Sequence, residues 1–149
     1  MSSTKEEAIF VTIMLEVIGR PKEHLKEVLQ DLIKKIGQEK GIKIKHSEVY
    51  EPTELKDNKS LYTSFAEMDI EADSMREIMQ ITFKYMPSHI EVVSPENLTL
   101  NNNFLNDIFN ELTRRLHAYD QIVRIVQNEK IILEKQLKEL SEKKKKSSK

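Results

Sequence analysis

The chain has 149 residues, of which 38% are hydrophobic and 33% charged. That is enough for one domain with a core, and too polar for the whole chain to fold as one compact globule. The absence of cysteine excludes disulfides, thiolate zinc sites and a thiol nucleophile, and points to a reducing compartment, the cytoplasm.

The opening residues, Met1 to Glu7, are acidic where a secretory signal needs basic ones. The apolar run from Ala8 to Ile18 is broken by Thr12 and Glu16, and is shorter than the ~20 residues needed to span a bilayer. Neither secretion nor membrane insertion is expected. Net charge is −1, and five lysines, Lys143 to Lys146 and Lys149, cluster at the end, so the rest of the chain is acidic. A net-acidic body is a poor general binder of nucleic acid, which leaves weak tail contacts as the expected limit.

Residues 8–18 alternate as a strand, with Ile9, Val11, Ile13, Leu15 and Val17 on one face and Phe10, Met14 and Ile18 on the other. Gly19-Arg20-Pro21 turns the chain, and Pro21 suits a first helical turn. Leu25, Val28, Leu29, Leu32, Ile33 and Ile36 then recur at helical spacing, and Gly37 and Gly41 end that helix. Ile42 and Ile44 alternate with Lys43 and Lys45 in a second strand running towards Tyr50. Pro52 to Lys59 reads as a charged connection. Leu61 to Ala72 is a third strand, with Leu61 and Phe65 on the face opposite Ala66, Met68 and Ile70. Ser74 and Glu77 have the spacing of a capping box and open a second helix, which Pro87 closes. A last short strand follows at His89 to Val93.

This order predicts an α+β fold over residues 1–98, the ferredoxin-like βαββαβ sandwich, with a four-stranded antiparallel sheet and both helices on one face. The first and third strands are central in that topology. Phe10, Met14, Leu61 and Phe65 would then form an apolar stripe on the open sheet face, one that needs a cover.

All glycines and prolines precede residue 96, so nothing interrupts a helix beyond them. With Phe109 at heptad position a, the a residues are Asn102, Phe109, Leu116, Val123, Lys130 and Leu137. The d residues are Leu105, Leu112, Tyr119, Val126, Leu133 and Leu140. Ten of these twelve are apolar, which is a coiled-coil pattern. The expectation is a long amphipathic helix over residues 99–142, with residues 143–149 a disordered lysine-rich tail. Ile108, Ala118, Ile122 and Ile125 widen the apolar stripe in the first half of that helix, as burial on two sides would require, and this half is expected to dock on the sheet. The narrower second half, Val126, Lys130, Leu133, Leu137 and Leu140, reads as the interface for a second copy or another helical protein.

The stretch from Val11 to Ile44, with Ile18-Gly19-Arg20-Pro21 leading into Leu25-Lys26-Glu27-Val28-Leu29, resembles the opening of an ACT-like regulatory domain. That resemblance implies the same βαββαβ topology and a small molecule bound at a subunit interface. As a whole the chain is similar to uncharacterised archaeal proteins, which implies no activity.

Chemistry-bearing motifs are few. His24, His46, His89 and His117 have no ligand spacing between them, and there is no phosphate loop, nucleophile elbow or zincin helix. No cofactor, metal or catalytic activity is expected. Arg20 and Lys22 flank the start of the first helix, where free backbone amides favour an anion. Arg114, Arg115 and His117 form a basic cluster beside Glu111, an ion-pair spacing. The leading expectation is a non-catalytic interaction protein that dimerises or holds a partner through its last helix. A small-molecule regulatory module and a weak RNA binder are the alternatives.

Overall fold

The computed structural model describes residues 7–148; Met1 to Glu6, most of the acidic opening, and Lys149 lie outside the described residues. The elements are β1 (Ile9–Gly19), α1 (Lys22–Gly37), β2 (Ile42–Val49), β3 (Thr53–Glu54), β4 (Tyr62–Ala72), α2 (Met75–Tyr85), β5 (His89–Ser94) and α3 (Asn102–Ser147). The chain divides into two compact units between Thr99 and Leu100.

The first unit is α+β: one antiparallel sheet and two short helices. The sheet runs β2-β4-β1-β5, and the two-residue β3 also pairs with β4. β1 and β4 are therefore interior. Their eleven-residue pairing, from Ile9 opposite Ala72 to Gly19 opposite Tyr62, is the spine of the unit. β3 falls within the segment read from sequence as a plain connection. Thr53 and Glu54 carry no apolar alternation, and only the partner strand makes them extended.

Alternation along β1 and β4 places Ile9, Val11, Ile13 and Leu15 together with Ala66, Met68, Ile70 and Ala72 on one buried face. Leu29 and Ile36 of α1 and Ile78 and Ile81 of α2 join them in a single core. Both helices thus cover that face, because each presents an apolar stripe that must leave water. Ser64 is the one buried polar residue on this face among the described residues, and its hydroxyl donates to the Tyr50 carbonyl at 2.7 Å.

The ends of these helices are fixed locally. Ser74 caps α2: its hydroxyl accepts from the Arg76 amide at 3.2 Å and bonds the Glu77 carboxylate. Met86 takes the left-handed conformation (φ 49°), and Pro87 cannot extend the ladder. Gly41 must also be left-handed (φ 76°); a Cβ there would sit 2.9 Å from Glu77 Cγ. Glu39, on the loop between α1 and β2, accepts from Lys84 and from the Tyr85 hydroxyl at 2.6 Å, tying that loop to the last turn of α2. The Lys84 bond, then that from Tyr85, holds the Glu39 carboxyl below its ordinary range.

Candidate interaction surface

The second unit is a single helix. α3 contains 46 residues, about 69 Å at ~1.5 Å per residue. Asn101 caps it, its side-chain oxygen accepting from the Phe104 amide at 2.8 Å. The helix continues through Lys143 to Lys146 and ends at Ser147, where the sequence reading places a disordered tail. The reason is local: lysine is a good helix former, no breaker intervenes, and cations suit the negative end of the helix dipole.

Ion pairs brace the polar side of α3. Glu111 accepts from Arg115 Nε at 2.6 Å and from Arg114 Nη2 and Nε at 2.7 and 2.9 Å. Arg114, then Arg115, holds the Glu111 carboxyl down at about 2. Asp120 pairs with Arg124 at 2.9 Å, and Lys130 faces Glu134 at 3.9 Å. The two arginines of the basic cluster thus share one carboxylate.

The other side of α3 is apolar and open. None of its side chains is buried: Phe109 is 60% exposed, Leu133 63% and Leu137 69%. Val126, Glu129, Lys130, Leu133, Glu134 and Leu137 line an open groove along the outer half. Four of the five residues assigned from sequence to a partner interface, Val126, Lys130, Leu133 and Leu137, line that groove. Leu140 lies beyond it on the same seam, 64% exposed. The groove is flanked by the Glu129 and Glu134 carboxylates, with Lys130 between them.

The open sheet face is different in kind from a plain apolar stripe. Phe10 lies opposite Glu71, Met14 opposite Glu67, and Phe65 opposite Glu16. Leu61 sits one residue before β4. Three acids on this face have partners: Thr12 donates to Asp69 at 2.7 Å, Thr63 to Glu16 at 3.0 Å, and Lys45, at a bulge of β2, reaches Glu71 at 2.7 Å. The Lys45 bond keeps the Glu71 carboxyl below its ordinary range. At the β2 edge, Glu48, then Glu67, pushes the Tyr50 hydroxyl up. Register, which the sequence alone does not disclose, sets each aromatic or methionine beside a carboxylate.

Arg20 and Lys22 stand exposed at the turn into α1. Pro21 offers no side-chain cap there, and its carbonyl takes the His24 amide at 3.1 Å. The histidines stay apart in role: His24 lies 3.5 Å from Glu27, while His46 and His89 sit opposite Asp69 and Met14 on different edges of the sheet. Among the described residues no group of three or more His, Asp or Glu could hold a metal ion. Nor is any described helix long and apolar enough to cross a membrane.

Neither a curated protein nor a solved structure matches the chain. A family model does, and over nearly its full length: residues 10–148, which include nearly all of the sheet unit and the whole of α3. The chain belongs to the MJ0538 family.

Proposed function

We propose that this is a non-catalytic interaction protein that self-associates through the outer half of α3, the sheet unit serving as a ferredoxin-like platform. The observation that carries the reading is the seam itself. A helix of 46 residues holds an apolar a/d register to Leu140 with no buried side chain. Monomeric proteins rarely leave a contiguous apolar surface of that extent to water. The order β2-β4-β1-β5, with both short helices on one face, supports the ferredoxin-like reading of the platform. An ACT-like ligand site would rest on Arg20 and Lys22, at a helix start that has no side-chain cap.

Analytical ultracentrifugation of the full chain and of a form ending at Asn128 tests the proposal. The full chain should sediment as a dimer at roughly tens of micromolar, a concentration that a coiled-coil seam of this length readily reaches. The shortened form should be a folded monomer, since every core residue precedes the cut. A full chain that remains monomeric at that concentration would overturn the reading.

A further inference from the structure

Building on that self-association, we infer that two copies of α3 pair antiparallel and end to end. The heptad phase permits full overlap in that direction, and the placement of like charges decides for it.

α3 begins at Asn102, an a position, and ends at Ser147, a d position. Antiparallel coiled coils set a against d, whereas parallel ones set a against a and d against d. Full antiparallel overlap, Asn102 against the partner's Ser147, therefore brings the whole seam into phase. Val123 meets the partner's Val126, Leu116 the partner's Leu133, and Leu112 the partner's Leu137. A parallel in-register pair is in phase as well, so phase permits both directions.

Charge separates the two directions. In a parallel, in-register pair Lys130 would face the partner's Lys130 inside the seam, and Lys144 the partner's Lys144. Glu129 at g would lie along the partner's Glu134 at e, a like-charge pair made twice. Against these stands one attractive rim pair, Arg115 with the partner's Asp120, already shared with the Asp120–Arg124 bond. Antiparallel overlap removes every one of the repulsions. Lys130 then lies across from the partner's Tyr119, whose ring and hydroxyl can take a cation. Glu129 runs beside the partner's Ile122, and Glu134 beside the partner's Thr113. The lysine-rich end, Lys143 to Lys146, comes alongside the start of the partner's α3, which holds Asp107 and Glu111 and no lysine or arginine before Arg114.

The absence of native cysteine makes the test direct. Spin labels are placed singly on the full chain at two positions away from the seam, in Gln121→Cys and Glu142→Cys, and label-to-label distances are read by pulsed electron resonance. Position 121 is close to the midpoint of α3, so its two labels should lie within about 30 Å whichever way the helices run. Position 142 discriminates. In the antiparallel pair it lies across from the partner's Asp107, so its two labels should be about 50–60 Å apart; in a parallel pair they would be within about 30 Å. A short distance at 121 with a long one at 142 supports the inference. Short distances at both overturn the direction while leaving self-association intact. No dipolar signal at either position overturns self-association, and the inference with it.

Discussion

Leu137→Ala isolates the contribution of the seam from that of the fold. Leu137 is 69% exposed and joins no core cluster, so its truncation leaves the sheet unit untouched. Fully burying a leucine stabilises by about 1.5–3 kcal/mol, and roughly two-thirds of this side chain is still available for burial. Each copy should therefore lose about 1–2 kcal/mol, and a dimer, which contains the site twice, about 2–4 kcal/mol. The dissociation constant should rise by about 30- to 900-fold. Sedimentation equilibrium or dilution calorimetry measures the constant, and thermal melting of the same samples checks that the sheet unit keeps its stability. A dissociation constant within threefold of the native chain's would refute the reasoning, because it would mean that Leu137 stays in water in the associated form.

Four further outcomes are expected. Lys130→Leu should tighten self-association by about tenfold or more, since it replaces the one charged residue within the outer seam by a side chain that gains from burial; sedimentation reads this. Leu29→Ala should cost about 2–5 kcal/mol in a denaturant melt, because Leu29 is fully buried where α1 meets the sheet. Gly41→Ala should cost about 1–2 kcal/mol for the left-handed backbone alone, measured the same way, with the crowding against Glu77 adding to it. The folded-state carboxyl of Glu111 is depressed, so what it contributes to α3 is present above its ordinary 4.5 and is lost as pH falls towards about 2. Circular dichroism across that window should show a loss of helicity that is smaller in Glu111→Gln, where only the other carboxylates titrate.

The sheet unit was legible wherever a single periodicity decided the outcome. β1 and α1 follow from alternation and from helical spacing, and their buried residues are those the patterns pick out: Ile13 and Leu15, Leu29 and Ile36. What depends on a partner strand was not legible. β3 exists only through pairing with β4, and the bulges opposite Val11 and at Lys45 follow from twist and register. The same holds for the open sheet face. Phe10, Met14 and Phe65 are visible as apolar, but their carboxylate neighbours Glu71, Glu67 and Glu16 lie some fifty to sixty residues away in sequence and become neighbours only through the β1–β4 register. On α3 the seam needed only the heptad to be seen. The end of the helix was misjudged because a run of lysines has the composition of a solvated tail and the propensity of a helix, and here propensity decides.

The choice of residues on α3 argues for pairing on grounds independent of the groove. Leucine, lysine, glutamate and glutamine differ little in helix propensity, so leucine at 112, 116, 133, 137 and 140 does almost nothing for helix formation that lysine or glutamate would not do. An isolated spacer helix could be built from ion pairs alone, and α3 already has them in Glu111 with Arg114 and Arg115 and in Asp120 with Arg124. Left in water, the leucines would add only an aggregation liability. Their free-energy return comes when another surface covers them. On the proposed reading that surface is a second helix running along the first, to which their 3.5-residue spacing is suited.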